Sequence, residues 1–181
     1  IIVFVFVGLT SMRGQGGYFQ QRVSYDIKVT LDDKEHYLTG IIRISYKNNS
    51  PDTLSFIWMH LWPNAYSDRN TALSKQLLAE GKKALYFAKK EELGFIDQLA
   101  FSSNGKPLDF KLDAVDKDIG KLHLTEPLLP GATIEFSTPF RVKIPPGKFS
   151  RLGHIGESYQ ISQWYPKPAV YDREGWHEMP Y

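Results

Sequence analysis

The chain contains no cysteine in 181 residues. This excludes disulfides, thiolate zinc sites and a cysteine nucleophile within it. It does not exclude export. A surplus of charge of either sign is also missing, with 22 Lys and Arg against 20 Asp and Glu and a net charge of +2. Positive charge occurs only in short pairs such as Lys82-Lys83 and Lys89-Lys90. A nucleic-acid surface gathers such residues on one face, so no nucleic-acid partner is expected. The apolar run at residues 1–9 falls short of the roughly 20 residues a spanning helix needs, so no stable membrane span is expected.

Familiar catalytic signatures are absent as well. There is no G-x-S-x-G elbow and no phosphate loop. The nearest approach to H-E-x-x-H is His177-Glu178-Met179-Pro180-Tyr181. That zinc motif needs a second His one helical turn on. Tyr181 stands there instead, and Pro180 disrupts a helix interior. The chain's 5 histidines show no metal-ligand spacing on any expected helix. His60 reads as a satisfied core or edge histidine and His123 as a solvent-facing strand residue. Asn48-Asn49-Ser50 fits a glycosylation acceptor, although Pro51 after it favours a turn.

Aromatic and apolar residues are plentiful, at 14% and 42% of the chain. That is enough apolar surface to offset chain entropy, and disorder is not expected. Residues 1–16 resemble the apolar core and cleavage zone of a secretory signal peptide whose start is truncated. A buried strand is the bland alternative. Residues 17–181 read as one domain.

From Arg22 the pattern alternates. Val23, Tyr25, Ile27, Val29 and Leu31 form one face, and Asp32-Asp33 supplies a turn. Leu38, Gly40, Ile42, Ile44 and Tyr46 form the matching face of a second strand, giving an antiparallel hairpin. Residues 53–62 are apolar on both faces, as in a covered central strand. Residues 68–83 are the one good helix candidate, with Asn70 or Asp68 as N-cap and a Leu73, Leu77 and Leu78 stripe. Short strands follow at 98–102, around Leu108, Phe110 and Leu112, around Leu122 and Leu124, and at 132–144. Asn104-Gly105 and Pro130-Gly131 mark turns between them. About eight strands with one inserted helix predict a mostly β fold. Its form is a β-sandwich or a saddle-like pair of antiparallel sheets.

The segment from Arg151 to Tyr181 is dense in aromatic rings, glycines and prolines, and reads as the front part of something larger. Residues 159–165 read as strand-like, with Gln163 between Ser162 and Trp164. A Gln amide both donates and accepts, so it can orient a polar ligand group without charge. The bland reading puts Gln163 on a strand surface and Trp164 in the core.

Taken in order, several landmarks resemble the N-terminal domain of the aminopeptidase N-like zinc metallopeptidases. That family includes leukotriene A-four hydrolase. The landmarks are Y-D-I-K-V-T-L-D from Tyr25, L-T-G-I-I-R-I-S-Y from Leu38 and F-I-W-M-H-L-W-P-N-A-Y from Phe56. L-L-P-G-A-T-I-E-F from Leu128 and I-S-Q-W-Y-P from Ile161 complete the set. The W-P-N-A-Y and Q-W-Y-P-K-P-A-V-Y-D forms resemble exported bacterial members of the Bacteroidetes type. The resemblance implies a β-saddle domain that packs on its own downstream catalytic domain and faces a peptide substrate. It implies zinc held by that later domain and no catalytic or metal-binding residue in this chain. Gln163 matches the glutamine that lines the pocket for the substrate's first side chain. Tyr165 falls where many relatives carry Glu or Gln, and a phenol there supplies no charge for the substrate's α-ammonium. The family's usual P-C-x-D-x-P segment is also replaced. The implied location is exported: periplasmic, outer-surface or extracellular. Two alternatives stay open. One is a stand-alone surface module binding glycan or peptide through Trp164, Tyr165, Tyr171 and Trp176. The other is a catalytically silent scaffold.

Overall fold

The computed structural model describes residues 18–181. The signal-like segment at 1–16 lies outside them. The described chain is mostly β, with strands β1 (Arg22–Asp32), β2 (Tyr37–Lys47) and β3 (Leu54–His60). A 3-10 turn (Trp62–Tyr66) and helix α1 (Ala72–Ala79) come next. Strands β4 (Phe95–Asp97), β5 (Ser102–Ser103), β6 (Lys106–Pro107), β7 (Phe110–Leu112), β8 (Ile119–Leu128) and β9 (Thr133–Lys143) follow. Five short strands close the described chain: β10 (Leu152–Ile155), β11 (Ser158–Ile161), β12 (Lys167–Pro168), β13 (Val170–Asp172) and β14 (Gly175–His177).

One sheet runs β1-β2-β9-β5-β6, with β4 also on β9, and a second runs β12-β3-β8-β7. Two small hairpins, β10-β11 and β13-β14, complete the antiparallel architecture. The sheets share one core in a sandwich-like arrangement. Ile42, Ile44, Phe136 and Phe140 enter from the first sheet and Ile57, Met59 and Leu122 from the second, all essentially inaccessible. Each such side chain contributes about 1.5–3 kcal/mol by leaving water.

The β1–β2 hairpin forms in the register the alternation predicts, with Tyr25 opposite Ile44 and Ile27 opposite Ile42. Its turn is held by Asp32, whose carboxylate accepts from the backbone N–H groups of Lys34 and Glu35. Gly40 is required by close approach, because a Cβ there would lie 2.3 Å from the Lys28 carbonyl oxygen and against the Phe140 ring. The apolar face of β1 is less covered than expected. Tyr25, Val29 and Leu31 remain 40–43% exposed. β1 is an edge strand, and the core seals the facing residues of β2 first.

Other differences have local causes. The third strand stops at His60, and Trp62 opens the 3-10 turn, with Pro63 at its start. The helix is shorter than 68–83. It begins after Thr71, whose hydroxyl accepts from Ser74 N–H, so neither Asn70 nor Asp68 is the cap. Asp68 instead accepts from Asn70 N–H in a turn just before it. Leu73 and Leu77 are buried as the stripe predicts. The strand expected at 98–102 does not form except at Ser102, where β5 begins, because Gln98 takes a positive φ of 59° just after β4. At Asn104-Gly105 both φ angles are positive, 49° and 75°, as a tight hairpin turn demands.

Candidate functional site

The segment carrying Gln163 is a junction between two ladders rather than a strand over 159–165. β11 pairs with β10 only as far as Ile161, which faces Leu152. Gln163 then takes a left-handed φ of 57°. For a residue with a Cβ that conformation costs about 1–2 kcal/mol, and it breaks the ladder. Pro166 and Pro168 hold the exit extended. β12 docks on the edge of β3, with Lys167 opposite His60 and Pro168 opposite Met59. The edge position suits Pro168, which has no N–H to donate. Ala169 N–H resumes the ladder by donating to the Trp58 carbonyl at 2.7 Å.

This junction turns successive side chains to different neighbours. The Gln163 amide oxygen accepts from Lys167 Nζ. Trp164 packs on Phe140, with ring centroids 5.8 Å apart, and joins the core. Tyr165 meets Tyr25 edge-on at 5.4 Å. Burial, with Tyr165 beside it, pushes the Tyr25 hydroxyl up to about 12. Gln163 and Tyr165 therefore lie on one loop, engaged with Lys167 and with Tyr25 respectively.

Beside the loop is a cavity of about 540 Å³ whose walls include Phe19, Tyr25, His60, Trp62, Lys167 and Tyr171. It sits where residues 18–21 pass the end of β3 and the β12–β13 segment. Lys167 lays its ammonium 3.7 Å from the centroid of the Trp62 ring. A cation over an indole face is favourable, the more so when desolvated. Burial holds the Lys167 amine below the ordinary lysine range. His60 is 6% exposed. Burial first, and the Lys167 charge second, push it down to about 4, while a hydrogen bond to the His177 backbone pulls the other way. His60 Nδ1 and Trp62 Nε1 have no hydrogen-bond partner among the described residues. Sequence reasoning missed Lys167 and Trp62 and gave His60 only a structural role, at a core or edge position. Their meeting depends on the β12–β3 register, for which no local pattern exists.

Other residues singled out from sequence have settled structural roles. Asn48 is fully buried. Its amide donates to the carbonyls of Asp52 and Leu128 and accepts from Ser50 and Gln21. A side chain so enclosed is a turn anchor rather than an exposed glycan acceptor. His123 is half-buried, with its ring 6.4 Å from that of Phe56 on the neighbouring strand. His177 lies at the end of β14, not on a helix, with Nε2 2.9 Å from Asp172 Oδ2. That carboxylate raises the His177 pKa, and the imidazole lowers that of Asp172. Trp164 and Tyr165 pair with each other, as do Tyr171 and Trp176. No ring contact joins the two pairs among the described residues, so the four do not make one continuous platform. No group of three or more His, Asp or Glu among the described residues is placed to hold a metal. No helix among them is long and apolar enough to cross a membrane.

Compared with known proteins, the chain matches no family model and no curated protein.

Proposed function

We propose that this chain is the N-terminal domain of an exported zinc-dependent metallopeptidase, an aminopeptidase that removes first residues from peptides. In this reading it packs on its own downstream catalytic domain and lines the substrate pocket with Gln163 and Tyr165. The observation that carries the reading is the left-handed backbone at Gln163, with its amide oxygen held by Lys167. Backbone strain of this kind gathers at ligand-facing positions, and it falls on the residue that the family resemblance assigns to the pocket wall. The half-exposed Tyr25, Val29 and Leu31 on β1 support a packing role, since an apolar strip of this kind suits burial by another domain.

Zinc, bound by the catalytic domain, would polarise the scissile carbonyl and activate water. This chain's part is positioning. Gln163 offers the substrate amide protons without charge, its oxygen remaining on Lys167. Tyr165, braced by Tyr25, supplies an aromatic wall. Such contacts act on rate through orientation rather than bond chemistry.

The test is hydrolysis of aminoacyl-4-nitroanilides by the full-length protein. Chelator-sensitive release is expected, and Gln163→Ala should change the preference among first side chains with a modest loss of rate. Absence of chelator-sensitive hydrolysis refutes the peptidase reading. An unchanged preference across all substrates removes Gln163 from the pocket.

A further inference from the structure

The cavity beside the Gln163 loop holds an ammonium with no carboxylate partner among the described residues. Its walls carry one lysine, Lys167, and one carboxylate, Asp172. Asp172 faces His177, with Oδ2 2.9 Å from Nε2, an ion pair when the imidazole is protonated. Lys167 has only neutral neighbours, the Gln163 amide oxygen and the Trp62 ring face, and no carboxylate pairs with it among the described residues. An exposed lysine normally carries its ammonium outward to water. Here the tip is folded back onto Trp62 at the wall of the cavity.

From this geometry we infer a binding site for a carboxylate attached to an apolar or aromatic body, as at the C-terminal residue of a peptide. Lys167 receives the carboxylate, and Phe19, Tyr25, Trp62 and Tyr171 receive the body. The charge count selects the ligand. One ammonium balances one carboxylate. A phosphate or a nucleotide would bring a second negative charge with no second cation on the walls to meet it. An amine would be repelled by Lys167. His60 adds no positive charge near neutral pH, because burial keeps it unprotonated. The aromatic lining favours a ring over an extended polar chain. At about 540 Å³ the space is of the size small ligands occupy.

The site does not depend on peptidase activity. A full-length protein that hydrolyses nothing still distinguishes the acid from its amide.

The test uses the 181-residue chain with N-acetylphenylalanine and its neutral counterpart N-acetylphenylalaninamide. Binding is followed by tryptophan fluorescence and by lysine side-chain NMR. A charge-assisted hydrogen bond corresponds to roughly a tenfold to hundredfold change in affinity. The acid should therefore saturate the site and the amide should bind at least about tenfold more weakly. Lys167→Met should bring the acid down to the level of the amide, while Lys167→Arg should keep the preference. Equal binding of acid and amide overturns the proposal, as does no saturable binding of the acid below about 10 mM. N-acetylglutamic acid α-amide, which has no amine, separates a C-terminal carboxylate from an acidic side chain, and tighter binding of that compound than of N-acetylphenylalanine overturns the assignment. The acid–amide contrast is made on the unaltered chain, so it holds even if a Lys167 variant fails to fold.

Discussion

Protonation of His60 should make the domain measurably acid-sensitive. Its pKa is about 4 in the folded chain, against an ordinary value of 6.5. The cause is burial at the end of β3, with the Lys167 ammonium as the second contribution. Between these two values the unfolded chain binds a proton that the folded chain refuses. Stability must therefore fall as pH drops through that window. Linkage gives a loss of about 2 kcal/mol between about pH 7 and pH 5, and about 3 kcal/mol by pH 4. Both figures are upper estimates if water reaches the ring. The assay is urea unfolding of the 181-residue chain at a series of pH values, with His60→Gln measured alongside. Other groups contribute in both chains and cancel in the difference. Asp118 is one: burial raises its pKa, so its contribution has the opposite sign. The variant will differ in absolute stability, because it alters a buried contact with Trp62. What matters is the slope. The wild type should lose about 2 kcal/mol more than the variant between about pH 7 and pH 5. Parallel pH profiles would refute the assignment of a desolvated, neutral imidazole at this position.

Two further outcomes concern backbone and buried polarity. Gln163→Gly should be more stable than Gln163→Ala by about 1 kcal/mol, because only glycine adopts the observed φ of 57° without strain. Both lose the bond to Lys167, so the comparison isolates the backbone; an alanine variant as stable as the glycine one, by urea unfolding, contradicts it. Asn48→Ala removes amide donors at 2.6 Å from Asp52 O and 3.1 Å from Leu128 O. A loss of about 2–4 kcal/mol is expected, with a fall in Tm of roughly 5–15 °C by circular dichroism. An unchanged Tm would mean that these bonds are replaced by water.

Legibility in the sequence followed contact range. The β1–β2 hairpin was readable from alternation over residues close in the chain, and its register held over both strands. The Asn104-Gly105 turn was readable because few residue pairs tolerate two positive φ angles. The helix was found but overextended, since the Thr71 cap and the Asp68 turn compete for the same few residues. The strand-like stretch expected over 159–165 forms only as far as Ile161. Its aromatic residues favour extended structure, yet the left-handed turn at Gln163 leaves no local signature. Gln163 and Tyr165 were singled out through family resemblance rather than residue chemistry alone. Their neighbours in space, Lys167 and Tyr25, were not.

Amino-acid order alone settled the mostly β character, the strand-pairing of adjacent segments, the one α-helix among the described residues and the absence of thiol chemistry. These depend on side-chain period, turn propensity and composition, which act over a few residues. Tertiary structure decided how much of the apolar face of β1 stays open, that Lys167 lies opposite His60, and that a cavity with an unpaired ammonium forms between them and the segment before β1. Those outcomes depend on the register of strands far apart in the chain. That register is set by packing of the shared core, not by any preference of the residues that end up side by side.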